Sequence, residues 1–328
     1  MYDIISMGDS VIDAFTVISE AEVLCHLSEQ DCRLCLSYSD KVPVDKFKLT
    51  TAGNALNNAV GSARLGLKTA LYTEIGNDMF GKMIVDKMMQ EKISTDYVNL
   101  NKGAATNLHT VLSYKVERTI LVYHEPRSYK LPQFEEAPKW IYYTSLSKGF
   151  EKVQEELVNY LYANPEVKLA FNPATFHLRA GLDALREIIK RTEVIFINRE
   201  EAKRLLNIDL KEPTPIKELL SKIHELGVKT IIITDGPKGC TVYDGKDYGQ
   251  LGLYDVPIVE RTGVGDAFAT GFIAAQVYGK NLEECLKWGT INSAGVIQEI
   301  GPQDGLQTKD QIEKVLASNP VFTPVNLL

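Results

Sequence analysis

The stretch Trp140-Ile141-Tyr142-Tyr143-Thr144 is a short run of aromatic and branched residues without a charged side chain. Three similar runs follow it, and the segments between them carry apolar residues at helical spacing. Short apolar strands separated by amphipathic helices are typical of a parallel sheet that helices cover on both faces. The predicted strands are Trp140–Thr144, Val167–Asn172, Val194–Asn198 and Thr230–Thr234, and the predicted helices are Glu151–Ala163, Arg179–Arg191 and Pro215–Leu226.

The N-terminal part of the chain continues this pattern but also interrupts it. Tyr2–Met7 and Thr69–Ile75 predict two more strands, and Leu56–Leu65 predicts a helix. Residues 11–50 are polar, broken and strand-like, and residues 105–125 predict a hairpin with its turn near Glu117-Arg118. Strands inserted early in an α/β chain cannot easily join its parallel sheet. We therefore predict one α/β domain over residues 1–328, with segments 11–50 and 105–125 forming a small separate sheet that is either a lid or a decorated edge.

Composition excludes several classes of protein. The chain has 328 residues, 45% of them hydrophobic, and a formal net charge of -7 at pH 7. An acidic chain with scattered Lys and Arg has no electrostatic basis for binding nucleic acid. It contains no apolar run of the roughly 18 residues that a membrane span needs and no signal-peptide pattern. We expect a cytoplasmic protein that binds neither nucleic acid nor membrane.

The five cysteines are Cys25, Cys32, Cys35, Cys240 and Cys285. An odd number of cysteines in a chain expected to be cytoplasmic favours reduced thiols. Three of them lie close together with His26, and Cys25, His26, Cys32 and Cys35 could supply the four ligands of a structural zinc site. Buried or idle thiols are the main interpretation, and zinc is the alternative.

The stretch Thr262-Gly263-Val264-Gly265-Asp266 runs directly into a helical repeat. Glycines before a helix leave backbone N–H groups bare, and these groups bind anions at the positive end of the helix dipole. Asp266 would lie beside the bound anion, which indicates a base next to a phosphoryl group and predicts phosphoryl transfer to an alcohol. The alternative is an ordinary turn in which Asp266 caps the helix. A helix N-terminus should hold the pKa of Asp266 below its ordinary value of about 3.9.

Five motifs follow one another along the chain: Gly8-Asp9-Ser10-Val11-Ile12-Asp13, Ala52-Gly53-Asn54-Ala55-Leu56-Asn57-Asn58-Ala59, Asn198-Arg199-Glu200-Glu201, Thr234-Asp235-Gly236-Pro237-Lys238-Gly239 and Thr262-Gly263-Val264-Gly265-Asp266. In this order, and over almost the full length of the chain, they resemble the motifs of the ribokinase/PfkB family of ATP-dependent sugar and nucleoside kinases. Any one of these motifs is a weak signal, whereas five in the right order are specific.

The resemblance implies a ribokinase-like three-layer sandwich with a mostly parallel central sheet and a small β-sheet lid. It implies transfer of the γ-phosphoryl group of ATP to a primary hydroxyl of a sugar or nucleoside, and a homodimer formed through the lid. Mg²⁺ is the implied metal, held by Glu201 through water because Mg²⁺ dehydrates reluctantly. The implied residues are Asp266, Gly263 and Gly265 for catalysis, Asp13, Gly53 and Asn57 for the acceptor, and Asn198, Glu201, Thr234, Gly236, Gly239 and Asn292 for the nucleotide.

The chain departs from the family pattern at three places. Ala52 replaces a usual glycine, and its methyl group reduces the space available at this motif. Asn54 replaces a common lysine, which disfavours a phosphorylated acceptor. Glu260-Arg261 replaces the usual Asp-Thr, which argues against the monovalent-cation site of many members.

Two other functions compete with the kinase. One is a catalytically silent sugar-binding regulator on the same fold, against which Asp266 and its flanking glycines argue. The other is a dinucleotide-binding oxidoreductase, which needs a Gly-x-Gly-x-x-Gly turn that Ile5-Ser6-Met7-Gly8-Asp9-Ser10 lacks.

Overall fold

The computed structural model describes residues 1–25, 32–115 and 117–326. Its strands are β1 Ile4–Met7, β2 Val11–Val17, β3 Glu22–Cys25, β4 Cys32–Cys35, β5 Lys46–Ala52, β6 Thr69–Gly76, β7 Val98–Asn101, β8 Asn107–Tyr114, β9 Glu117–Tyr123, β10 Trp140–Tyr143, β11 Lys168–Phe171, β12 Thr192–Asn198, β13 Thr230–Thr234, β14 Cys240–Tyr243, β15 Tyr248–Leu251 and β16 Val325–Asn326. Its α-helices are α1 Asn54–Arg64, α2 Met79–Gln90, α3 Glu151–Ala163, α4 Thr175–Ala180, α5 Leu182–Lys190, α6 Arg199–Leu205, α7 Ile216–Glu225, α8 Val264–Val277, α9 Leu282–Val296 and α10 Lys309–Ser318.

The main sheet has the strand order β16-β15-β14-β13-β12-β11-β10-β1-β6-β7 within the described residues. All pairings from β13 to β7 are parallel, and β14, β15 and β16 add an antiparallel edge. Strand β10 is the predicted Trp140 run, and all four of its side chains are buried. The predicted α/β class with a mostly parallel sheet is confirmed.

Alternate side chains of β10 belong to different cores. Ile141 and Tyr143 pack with residues of α3, α5 and α7 on one face of the sheet. Trp140 and Tyr142 pack with residues of α8 and α9 on the other face. Successive side chains of a strand point to opposite faces of the sheet. Because helices cover both faces here, neither set of side chains meets solvent, and the run has no polar face.

The small sheet, β5-β2-β8-β9, is separate from the main sheet. Its strands fall within residues 11–52 and 107–123, and β2 lies between β5, antiparallel, and β8, parallel. The predicted hairpin is confirmed, because β8 and β9 pair in antiparallel fashion, and Glu117 and Arg118 are the first residues of β9 to pair with β8. The predicted helix Arg179–Arg191 is wrong at its start, because Gly181 adopts φ 83° and separates α4 from α5.

A two-stranded ribbon of β3 and β4 carries the cysteine cluster. Cys25 lies opposite Cys32 in the antiparallel register, and the two form a disulfide. This corrects the expectation of reduced thiols for that pair and removes two ligands of the zinc alternative. His26 lies outside the described residues. No group of three potential ligands for a metal ion occurs among residues 1–25, 32–115 and 117–326.

Every helix in the described part of the chain is too short or too polar to cross a membrane.

Candidate active site

Several of the predicted site residues lie at one edge of the main sheet. The carboxyl ends of β1, β12 and β13 lead to Gly8-Asp9, Asn198 and Thr234. These parallel strands end at the same edge, where ligands bind in open α/β sheets. The N-terminus of α8 lies at this edge as well, because Gly265 and Phe268 line the same cavity as Thr234.

Helix α8 begins with bare backbone donors. Its N-cap, Gly263, adopts φ 78° and offers no side chain to cap the first turn. A Cβ at Gly263 would overlap Pro302, so only glycine fits there, whereas a Cβ at Gly265 would meet no atom within 4 Å. Val264 and Gly265 of this turn line a cavity, as an anion site at a helix N-terminus requires.

Asp266 lies in the first turn of α8 with 8% of its surface exposed. The pKa of Asp266 is raised to about 7: burial is the main cause, a hydrogen bond from Asn57 opposes the rise, and the charges of Glu201 and Asp13 add to it. This finding corrects the expectation of a lowered pKa. The helix dipole favours the anion, but removing a carboxylate from water costs more free energy than the dipole returns.

The side chain of Asn57 connects Asp266 to the small sheet. Asn57 Nδ2 donates to Asp266 Oδ2 at 2.8 Å, and Asn57 Oδ1 accepts from Gln303 Nε2 at 3.0 Å. Gln303 Oε1 in turn accepts from Thr51 Oγ1, on β5, at 3.2 Å. All of these side chains are buried, so the network fixes the orientation of the Asp266 carboxylate.

One carboxylate oxygen of Asp13, on β2, is buried without a hydrogen-bond partner among the described residues. This oxygen is Oδ1, and Asp13 as a whole is 4% exposed. His109 Nδ1 lies 3.3 Å from that oxygen, close enough for an electrostatic contact but without good hydrogen-bond geometry. A buried acceptor without a donor is costly, and a ligand hydroxyl would satisfy it.

Gly53 was expected to let a ligand approach the backbone. Here the close approach is to the chain itself, because a Cβ at Gly53 would lie 2.5 Å from the carbonyl oxygen of Asp9. Gly53 also adopts φ 106°. It therefore packs the start of α1 against the loop after β1, and this packing places Asn57 one turn further along.

A cavity of about 340 Å³ opens beside the N-terminus of α8. The predicted residues Thr234, Gly236 and Gly239 line one wall, and Gly265 lies at the end nearest Asp266. A Cβ at Gly239 would overlap the carbonyl oxygen of Leu251, so this glycine allows the tight return from β13 to β14. The remaining walls are mostly apolar and include Pro237, Leu253, Val256, Ile258, Phe268, Ala294 and Ile297.

Asn292 does not line this cavity, which corrects the prediction for it. Its side chain is fully buried, donates to the carbonyl of Ala267 at 2.7 Å and accepts from the N–H of Gln307 at 2.9 Å. On α9 the cavity wall comes instead from Thr290, Ser293 and Ala294. Helical spacing turns Asn292 toward α8 while its neighbours face the cavity.

Asn198 and Glu201 form a reciprocal capping box at the start of α6. Asn198 Oδ1 accepts from the N–H of Glu201 at 2.9 Å, and Glu201 Oε2 accepts from the N–H of Asn198 at 2.8 Å. Burial raises the pKa of Glu201 above its ordinary value. The Glu201 charge also acts on Asp266, so the two carboxylates share one region of the site.

The Glu260 carboxylate is already occupied. It accepts from the N–H of Thr262 at 2.8 Å and from Thr262 Oγ1 at 2.7 Å, and Arg118 Nε lies 3.6 Å from it. Arg118 belongs to β9, so this pair joins the tip of the small sheet to the loop before α8.

Two residues of the site were missed from the sequence. Gln303 is one of them, and its bond to Asn57 spans 246 positions, a separation that no local pattern reveals. His124 follows β9 and contacts both His109 and Phe176. Its position directly after a lid strand is the one signal in the sequence that could have identified it.

The chain is similar to several known proteins. The family model of the pfkB family carbohydrate kinases matches residues 16–309. An uncharacterized sugar kinase of Archaeoglobus fulgidus is 26% identical over 256 residues, covering 75% of this chain and 98% of the relative. A cytidine kinase of Thermococcus kodakarensis is 29% identical over 274 residues, covering 78% of this chain and 91% of the relative. The Arabidopsis thaliana ribokinase, solved with ribose and ATP, superposes with a TM-score of 0.77 at 18% identity, covering 96% of this chain and 98% of that one.

The match to the family model extends over most of the chain and includes α8 with its Gly263-Val264-Gly265-Asp266 start, and the ribokinase fold is the fold described above. The chain belongs to the pfkB family of carbohydrate kinases.

Proposed function

We propose that this protein is an ATP-dependent kinase that transfers the γ-phosphoryl group to a primary hydroxyl of a sugar or nucleoside in the cytoplasm. One observation carries the proposal: Asp266, buried and with its pKa raised to about 7, stands at a helix N-terminus whose backbone donors are bare. On one side lies the cavity of Thr234 and Gly239, and on the other lies the Asn57–Gln303 network.

The nucleotide occupies the cavity beside α8. Its flat base packs between the apolar walls, and its phosphates extend toward Gly263 and Gly265. The backbone N–H groups of these glycines stabilise the negative charge on the transferring phosphoryl group. This electrostatic stabilisation is strongest where water is excluded.

Asp266 accepts the proton of the acceptor hydroxyl. A bond forms between the acceptor oxygen and the γ-phosphorus, the bond from that phosphorus to the β–γ bridging oxygen breaks, and ADP leaves with the electron pair. In a loose transition state the hydroxyl proton leaves late, so Asp266 first aligns the oxygen and then takes the proton. A carboxylate with a pKa near 7 is well matched to this role at neutral pH.

Glu201 would hold Mg²⁺ through water, together with the phosphates. When bound, Mg²⁺ neutralises charge on the β- and γ-phosphoryl oxygens. The donor set fits this arrangement, because Glu201 is a carboxylate in the region of Asp266 and the described residues offer no closed metal cage. Asn198 keeps Glu201 in place through the capping box.

The acceptor lies between the two sheets. Asp13 Oδ1 accepts a hydrogen bond from a hydroxyl of the sugar or nucleoside, which satisfies this otherwise unpaired oxygen. Asn57 holds Asp266 directed at the reacting oxygen. The relatives include kinases of both sugars and nucleosides, and the proposal therefore covers both classes.

A second copy of the chain covers the outer face of the small sheet, which acts as a lid. On the two edge strands of this sheet, β5 and β9, four apolar side chains are exposed: Phe47, Leu49, Leu121 and Tyr123, at 63%, 39%, 55% and 50%. So much exposed apolar surface marks an interaction site. Light scattering should give twice the monomer mass for the wild type and the monomer mass for Phe47→Glu combined with Leu121→Glu.

A coupled ADP-release screen tests the kinase. ATP and Mg²⁺ are supplied with ribose, fructose, 2-keto-3-deoxygluconate or a panel of nucleosides, and Asp266→Asn serves as the control. We expect one acceptor to drive ADP release by the wild type only. No ADP release together with measurable sugar binding would instead favour the catalytically silent regulator.

A further inference from the structure

The cavity beside the N-terminus of α8 contains one cationic side chain. Arg261 is the only lysine or arginine among the described residues that line it, and Asp255 is the only acidic one. Without Arg261 this lining would carry a net negative charge. The polyphosphate of a nucleotide is itself strongly negative, and a chain with a formal net charge of -7 offers no general positive field to offset it. The positive charge that counters the phosphates must therefore be local.

Arg261 lies next to the turn that we propose to bind the phosphates. It comes two residues before Gly263, the N-cap of α8, and Val264 and Gly265 line the same cavity. The side chain of Arg261 is 45% exposed, so its guanidinium group is accessible to a ligand. An arginine stays protonated at physiological pH, and its planar fork of N–H donors matches the oxygens of a phosphate.

The neighbouring carboxylate, that of Glu260, is committed to other partners. Glu260 Oε2 accepts from the N–H of Thr262 at 2.8 Å, and Glu260 Oε1 accepts from Thr262 Oγ1 at 2.7 Å. Arg118 Nε, on β9, lies 3.6 Å from Glu260 Oε1, in an ion pair without a hydrogen bond. Because Arg118 balances the charge of Glu260, the guanidinium group of Arg261 is not drawn to it.

Among the residues that the structure describes, the only side-chain partner of Arg261 is Glu117, at the start of β9. Arg261 Nη1 donates to Glu117 Oε1 at 3.5 Å, the upper limit for a hydrogen bond. The Glu117 side chain is 71% exposed. Ion pairs this exposed contribute little free energy, because water solvates both charges and salt screens them. A phosphate can therefore replace Glu117 as the partner of Arg261 at little cost.

We propose that Arg261 is a further nucleotide-binding residue, which exchanges the Glu117 carboxylate for the polyphosphate of the bound nucleotide. This inference rests on the proposed kinase function, and it adds a charged side chain to the backbone donors of Gly263 and Gly265. Glu117 belongs to the tip of the small sheet. Nucleotide binding thus releases one contact between that sheet and the loop before α8, whereas the contact of Arg118 with Glu260 remains.

Arg261→Gln tests the proposal, because it removes the positive charge and keeps a polar side chain. Titration calorimetry with ATP and with ADP, in MgCl₂ and without acceptor, measures the effect. We expect both dissociation constants to rise by about tenfold or more, as for loss of a hydrogen bond to a charged group. The loss should shrink between about 50 mM and about 500 mM NaCl, since salt screens an accessible charge. The KM of the acceptor should not change.

Glu117→Gln is the second variant, because it deletes the competing carboxylate and leaves Arg261 in place. It should bind ATP as tightly as the wild type or more tightly, whereas a merely structural role of the ion pair predicts the same loss as in Arg261→Gln. Arg186→Gln is the matched control for net charge. Arg186 pairs with Asp183 on α5, on the opposite face of the main sheet from α8, so this change should leave the ATP affinity unaltered.

ADP release with the acceptor panel separates this proposal from the kinase function. If the wild type binds ATP but phosphorylates no acceptor, the kinase assignment fails, while the ATP affinities of the variants still test Arg261. Weaker ATP binding by Arg261→Gln alone among the three variants supports the role of Arg261. An ATP affinity of Arg261→Gln within about twofold of wild type, below the effect of one hydrogen bond, or an equal loss in Glu117→Gln, would overturn it.

Discussion

Asp266 and Asn57 form a buried hydrogen bond, with 2.8 Å between Asp266 Oδ2 and Asn57 Nδ2, although 209 positions separate them in the chain. The two residues lie in the first turns of different helices, α8 and α1. The bond fixes the orientation of the carboxylate, and it lowers the pKa of Asp266 against the effect of burial. The strength and orientation of the proposed base therefore depend on a second residue.

Asp266→Asn should abolish phosphoryl transfer while leaving the nucleotide site intact. The amide keeps the size of the side chain but cannot accept a proton, and loss of a general base costs roughly 10²–10⁴-fold in rate. The measurements are kcat by ADP release and the dissociation constant for ATP by calorimetry. A variant that retains more than a tenth of the wild-type rate would falsify the role of Asp266, since about tenfold is less than any general base contributes.

The rate should depend on pH through Asp266. Its pKa is raised to about 7, so the deprotonated, active form is lost as the pH falls through that value, and kcat/KM should decline below about pH 7. Asn57→Leu removes the bond that favours the carboxylate, which should move this decline to higher pH. Asn54→Ala on the same helix is the control, because Asn54 bonds Asn172 and not Asp266. The idea is wrong if the pH profile of Asn57→Leu matches that of the wild type.

Two neighbouring glycines should respond to alanine in opposite ways. Gly265→Ala adds a methyl group to open space and should fold normally, but the methyl group enters the anion site and should weaken ATP binding. Gly263→Ala forces a side chain to φ 78° and into Pro302, so it should lower the melting temperature. Thermal unfolding and ATP titration of both variants check the contrast. Unimpaired ATP binding by Gly265→Ala would mean that the phosphates lie elsewhere.

His177 should make the fold sensitive to acid. Complete burial lowers the pKa of His177 to about 3, and its ring accepts from the N–H of Ala174 and bonds the Tyr143 hydroxyl. In the unfolded chain His177 takes up a proton at its ordinary pKa of about 6.5, whereas in the folded chain it does so only near pH 3. The contribution of His177 to the free energy of unfolding is therefore complete above pH 6.5 and is lost as the pH falls toward 3. His177→Asn should be less stable at pH 7 but should lose less stability between pH 6.5 and 4. Denaturant unfolding at several pH values measures this slope, and parallel slopes for the two proteins would contradict the assignment.

The sequence alone determined the class of fold and the region of the site. The short apolar runs without a polar face indicated strands buried on both sides, and the glycines before α8 indicated a helix start with unpaired N–H groups. Both signals are local, since a strand or a turn is encoded by residues next to one another. For this reason Gly263, Gly265 and Asp266 could be placed at a helix N-terminus without coordinates.

Only the tertiary structure decided the chemistry of individual side chains. Burial by distant elements reversed the expected pKa shift of Asp266, helical rotation turned Asn292 away from the cavity, and the register of β2 against β8 brought Asp13 to His109. Pairing between strands and desolvation depend on contacts made across the whole chain, and no local pattern encodes them. The sequence could therefore name Asp266 as the candidate base, whereas the folded molecule set its proton affinity and the partners that orient it.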